Sequence, residues 1–168
     1  MDRCLVLIGM MGAGKTIVGR TIAAKFDVPF NDTDKLLEYK LGRPVHQLFQ
    51  LYGEAAFRAH EASILSSIEA HPSVLATGGG IVLSDENWTE IRRIGVSIFL
   101  DVDIDVLVHR LRTAKKRRPL LEVPNWEETV RNDYRRGLGV VTAHVADHQA
   151  RGESLVGREK DLTVRCNC

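Results

Sequence analysis

The octet Gly9-Met10-Met11-Gly12-Ala13-Gly14-Lys15-Thr16 constrains what this chain can fold into more than any other stretch. It follows a short apolar run, Cys4 to Ile8, and opens a helical pattern from Lys15 to Phe26. The grammar is that of a buried parallel strand feeding a helix. A mere turn needs neither the lysine nor the hydroxyl. The pattern GxxxxGK[ST] has a physical use for both, because its glycines let backbone N–H groups converge on phosphate at a helix N-terminus, whose partial positive charge favours anions. In that arrangement Lys15 reaches the β- and γ-phosphates of ATP and the Thr16 hydroxyl ligates Mg²⁺. Gly12, Ala13, Gly14, Lys15, Thr16 and Ile17 are therefore the expected ATP contacts.

The alternation of short apolar runs with helical patterns then repeats. Strands are predicted near Val28 to Asn31, Val74 to Thr77 and Val96 to Asp101. Helices are predicted near Asp34 to Leu41, Glu54 to Ala70, Ser84 to Ile94 and Ile104 to Arg112. Such alternation predicts a parallel α/β sheet covered on both faces. Ligands in these sheets sit beyond the carboxyl ends of the strands, so chemistry is sought in the residues after each strand.

After the second strand comes Asn31-Asp32-Thr33-Asp34. Asp34 stands where a helix N-cap is wanted, and next to a phosphate loop the pair has a second use. Asp32 is placed to hold Mg²⁺ through water, and Asp34 to accept the hydrogen bond of an attacking hydroxyl. After the third strand, Gly78-Gly79-Gly80 is entropically expensive unless backbone or ligand must approach closely, which points to bare N–H groups for substrate oxygens. Asp101 ends the fourth strand and is read as a turn or capping residue. Arg58 and Glu61 share a helix face, as a surface ion pair or as a carboxylate receptor braced by its own carboxylate. The basic run Lys115 to Arg118, before Pro119, reads as a mobile flap that closes Arg118 over the triphosphate and excludes water. His144 and His148 lack the glutamate and third ligand of a metalloprotease helix and are read as surface residues.

Composition narrows the function classes. A formal charge of +1 supplies no global field for nucleic acid or an anionic membrane, so neither is expected as a partner. No apolar run approaches the ~18 residues of a membrane span. Cys4, Cys166 and Cys168 do not make a secreted disulfide framework, and the first strand starts too early to leave room for a signal peptide, so a cytoplasmic protein is expected.

Taken in order, GMMGAGKT at 9–16, NDTD at 31–34, GEAAFRAHE at 53–61, ATGGG at 76–80 and RPLL at 118–121 resemble the shikimate kinases. The resemblance implies ATP-dependent phosphorylation of the 3-hydroxyl of shikimate, on the route to chorismate and the aromatic amino acids. It implies a nucleoside-monophosphate-kinase-like three-layer α/β sandwich with five parallel strands; a monomer is expected. Within one kinase domain over 1–168, it places a substrate-binding subdomain at about 32–61 and a lid at about 112–125. By the same likeness Asp34 holds the substrate hydroxyls, Arg58 its carboxylate, and Gly79 and Gly80 its ring oxygens. Phe49 and Phe57 wall the pocket, Glu61 steadies Arg58, and Arg118 meets the phosphates. Beyond Asn125 the motifs depart from the family pattern, leaving an atypical tail at about 137–168. There Arg136 is the choice for a second carboxylate-binding arginine, and Asp161 to Val164 for a fifth strand. The rival readings are a nucleotide-binding relative with impaired turnover and another small-molecule kinase, such as one acting on gluconate.

Overall fold

The computed structural model describes residues 2–114, 121, 124–150 and 161–166. In chain order these form β1 (Cys4–Ile8), α1 (Lys15–Phe26), β2 (Phe30–Asp32), α2 (Thr33–Leu41) and α3 (Val45–Ser67). Then come β3 (Val74–Ala76), a 3-10 turn (Ile81–Leu83), α4 (Asp85–Ile94), β4 (Gly95–Val102), α5 (Ile104–Arg112), α6 (Trp126–Ala150) and β5 (Asp161–Cys166). The strands make one sheet in the order β2-β3-β1-β4-β5, every pair parallel. The fifth strand thus forms at the expected place, with Ser97 opposite Asp161 and Val102 opposite Cys166.

Strand β1 lies centrally, and its alternation explains the layering. Val6 and Ile8 face a core shared with Leu65, Leu75, Trp88 and Ile91, which draws α3 and α4 onto one face. Leu7, between them in sequence, points the other way to Ala23 and Val74, where α1 covers the sheet. Because both faces are buried, the strand is apolar throughout and its carboxyl end is left to the turn that follows.

Helix α3 is longer than the pattern predicts. It begins at Val45, and Gly53, at φ 74 and ψ 173, breaks it into two segments. The upstream segment is anchored by the fully buried Leu48, which packs with Leu37, Phe57 and Ile64. Helix α6 lies where the sequence pattern predicts no helix. It runs through Gly137 and Gly139 without interruption, and its Val130 and Val141 sit in two different core clusters. Tertiary burial here outweighs the low helix propensity of the two glycines.

Candidate active site

The turn after β1 folds back only because three of its residues take positive φ: Gly9 at 142°, Gly12 at 84° and Gly14 at 97°. Within it the Ala13 N–H donates to Met10 O at 3.1 Å, while Ala13 itself is buried in the core cluster that includes Leu100 and Leu107. Lys15 is 8% exposed and donates to Gly9 O at 2.6 Å and Met10 O at 2.9 Å, closing the loop with its own ammonium. Ile17, the third residue of α1, is 75% exposed at the cavity edge.

Asp32 splits its carboxylate between two tasks. Oδ2 accepts from Thr16 Oγ1 at 2.9 Å, and Oδ1 accepts from Asp34 N at 3.1 Å. Asp32, not Asp34, is therefore the N-cap of α2, since it is the last residue with extended backbone before the helix turns. With Asp32 as the cap, Asp34 Oδ1 lies beside Gly78 on the cavity wall.

Two threonines that the motif reading passed over lock these pieces together. Thr33 Oγ1 accepts from Gly78 N at 2.9 Å, and Thr77 Oγ1 donates to Leu7 O at 3.0 Å. Their one sequence signal is a small hydroxyl residue immediately after a strand. The three glycines that follow serve close approach. A Cβ on Gly78 would lie 2.5 Å from Glu61 Oε1 and one on Gly79 2.9 Å from Met11 N, while one on Gly80 would run into the Arg58 guanidinium. None of the three needs positive φ, so space is what excludes a side chain.

Arg58 and Glu61 are a buried pair and not a surface one. Arg58 Nη1 donates to Glu61 Oε2 at 2.5 Å, with the Glu61 side chain 4% exposed and that of Arg58 29%. Burial pushes the Glu61 carboxyl up, Arg58 pulls against it, and Asp34 and Glu54 add to the rise. Arg58 Nη2 also reaches Glu54 Oε1 at 3.4 Å. Phe57 packs on Phe49 with the rings tilted at 55° and their centroids 5.3 Å apart, and the Arg58 Cζ lies 5.6 Å from the Phe57 centroid. Helix α6 brings Asp133, Tyr134 and Arg136 to the same cavity. Burial and then Glu54 push the Asp133 carboxyl up, while Arg136 and Arg58 oppose.

Lys15, Thr16, Asp32, Asp34, Phe49, Phe57, Arg58, Glu61, Gly79, Gly80 and Arg136 thus come from five elements and their turns to line one cavity of about 870 Å³. Arg118 lies outside the described residues. Arg110, which no motif marked, donates from Nη1 to Gly12 O at 3.3 Å and ties α5 to the phosphate loop. Two readings are corrected. Asp101 lies inside β4 and accepts from Tyr134 Oη at 2.9 Å, while the cap of α5 is Asp103. His144 is not a free surface residue: its ring stacks on Trp88 at 4.3 Å, and its Nδ1 accepts from Arg92 Nη2 at 3.0 Å.

A parallel β2-β3-β1-β4-β5 sheet with a glycine-rich loop closed by its own lysine defines a P-loop nucleotide-binding α/β protein. The chain belongs to the shikimate kinase family, since the family model described as "Shikimate kinase" matches residues 11–156. That match continues past Asn125, where the short motifs end. The chain is 43% identical over 132 residues to the shikimate kinase of Cereibacter sphaeroides, covering 78% of this chain and 66% of that one. It is 42% identical over 126 residues to that of a Synechococcus species, covering 74% and 65%. These alignments therefore span just under two thirds of the relatives' length. Among solved structures, "Shikimate kinase from Acinetobacter baumannii in complex with shikimate" superposes with a TM-score of 0.77 at 28% identity, covering 99% of this chain and 84% of that chain. A gluconokinase from Sinorhizobium meliloti, at TM-score 0.50 and 18% identity, shares the fold alone.

Proposed function

We propose that this protein transfers the γ-phosphoryl group of ATP to the 3-hydroxyl of shikimate, giving shikimate 3-phosphate and ADP. One observation carries the reading: a phosphate loop and a guanidinium receptor braced by a buried carboxylate line the same cavity, with Asp34 between sheet edge and receptor. Lys15 leaves the Gly9 and Met10 carbonyls to meet the β- and γ-phosphates, exchanging neutral acceptors for charged ones. Asp34 accepts the hydrogen bond of the attacking hydroxyl and aims it in line with the phosphorus. Arg58 and Arg136 bind the substrate carboxylate, Gly79 and Gly80 offer backbone to its ring oxygens, and Phe49 and Phe57 wall the ring. Arg118 is assigned to the transferring phosphate and residues 112–125 to the lid, with 32–61 as the substrate-binding subdomain of a single kinase domain.

Thr16 Oγ1 and Asp32 Oδ2, 2.9 Å apart, are hard oxygen donors that suit Mg²⁺, an ion that commonly takes one or two protein ligands and completes its shell with water and phosphate. When bound, Mg²⁺ neutralises charge on the β- and γ-phosphates. The protein is taken to work as a cytoplasmic monomer. No described helix is long and apolar enough to cross a membrane.

The test is a coupled ADP-release assay with shikimate, with gluconate and with no acceptor. Release that depends on shikimate is the expected result. Release independent of acceptor, or none from protein that still binds ATP, overturns the proposal.

A further inference from the structure

We infer that Glu54 is a displaceable internal counter-ion that occupies the Arg58 face meant for the substrate carboxylate, and so sets how tightly that carboxylate is held. The inference rests on the function proposed above.

Around Arg58 the contacts differ in how easily they give way. Glu61 holds Nη1 at 2.5 Å with a side chain 4% exposed, and the Gly80 backbone lies against the guanidinium. Neither can retreat without disturbing the sheet edge. Glu54 reaches Nη2 at 3.4 Å, a long contact, from a side chain 63% exposed. It follows the Gly53 break and begins a new helical segment, where a released carboxylate remains favoured by the helix N-terminus and by water.

The charge balance gives the displacement a reason. Asp133 and Arg136 on α6 face the same region, and both Glu54 and Arg58 act electrostatically on Asp133. Two guanidinium groups thus meet four carboxyl groups, those of Asp34, Glu54, Glu61 and Asp133. A further carboxylate arriving with the substrate enters at low cost only if a resident one leaves, and of the two that touch Arg58, Glu54 is the more exposed and the more loosely held. An i,i+4 pair away from the cavity would leave ligand binding untouched on removal, whereas Glu54 and Arg58 both line it.

Glu54→Gln keeps the side-chain shape and removes the charge. The full-length variant and wild type are titrated calorimetrically with shikimate and with its methyl ester, without nucleotide, and KM and kcat are measured with ATP. A urea unfolding curve establishes that the variant is folded. The exchange of one loosely held ion pair predicts two- to fivefold tighter shikimate binding, roughly the range an exposed pair supplies. KM should fall by the same factor, kcat should change less than twofold, and the uncharged methyl ester should bind both proteins equally. Equal or weaker binding of shikimate by the variant overturns the role of Glu54 and leaves the proposed function standing. A wild-type protein that binds no shikimate overturns both.

Discussion

Replacing Gly80 by alanine should weaken the carboxylate receptor without disturbing the rest of the sheet. Gly80 has φ −96° and ψ 2°, a conformation open to alanine, so the backbone itself resists nothing. Through the unfolded chain alone, alanine would stabilise the protein by about 0.4–1 kcal/mol. Against that stands the new Cβ, which would overlap Nη1, Nη2 and Cζ of Arg58. A guanidinium is the far end of a flexible side chain and can move, but moving it gives up the 2.5 Å bond to Glu61. Glu61 is too enclosed to follow. A hydrogen bond to a charged group contributes about 1.5–3 kcal/mol, so the net destabilisation should be about 1–2 kcal/mol. Loss of about 2 kcal/mol from the carboxylate contact should raise the KM for shikimate roughly thirtyfold. Urea denaturation reads the first quantity and steady-state kinetics the second. A variant as stable as wild type with an unchanged KM would refute the argument that Gly80 is there to seat Arg58.

Gly139→Ala is the opposite case: nothing lies within 4 Å of the added Cβ, so in the middle of α6 it should stabilise by about 0.5–1 kcal/mol in the same urea assay. Lys15→Met should abolish detectable ADP release and weaken ATP binding in a calorimetric titration, because the loop loses the one ammonium it folds around. Asp34→Asn should lower kcat by about 10²- to 10⁴-fold, the range for a positioned group assisting proton transfer, with KM for ATP little changed. The Glu61 carboxyl is raised in the fold, so its contribution to stability is greatest below its unfolded range near pH ~4.3 and is lost as pH rises through the raised value. The stability of wild type relative to Glu61→Gln, followed by urea unfolding across that window, should therefore decline with rising pH, and a flat difference would contradict the shift.

Much of the site was legible because its signals are local. The phosphate loop, the bounds of α1 and α5, the Asp32–Asp34 pair and the three glycines are each a short run whose spacing carries its own geometry. A glycine that must take positive φ, or a hydroxyl next to a P-loop lysine, needs no distant partner to be recognised. Reading α6 was harder, because Gly137, Gly139 and the arginines beside them break the amphipathic pattern, and the helix is held by Val130 and Val141 in cores built by other elements.

The sequence by itself determined a parallel α/β sheet, a nucleotide-phosphate loop at its first turn, and which side chains stood ready beyond the strand ends. Only the tertiary structure decided their partners. Asp101 pairs with Tyr134, His144 stacks on Trp88, and Arg58 is enclosed by Glu61 and the Gly80 backbone. Spacing along a chain specifies which face of a helix or strand a residue occupies. What that face meets, and how much water is left there, depends on elements that are distant in sequence. It is burial that turned Arg58 and Glu61 from an i,i+3 pair into an enclosed receptor.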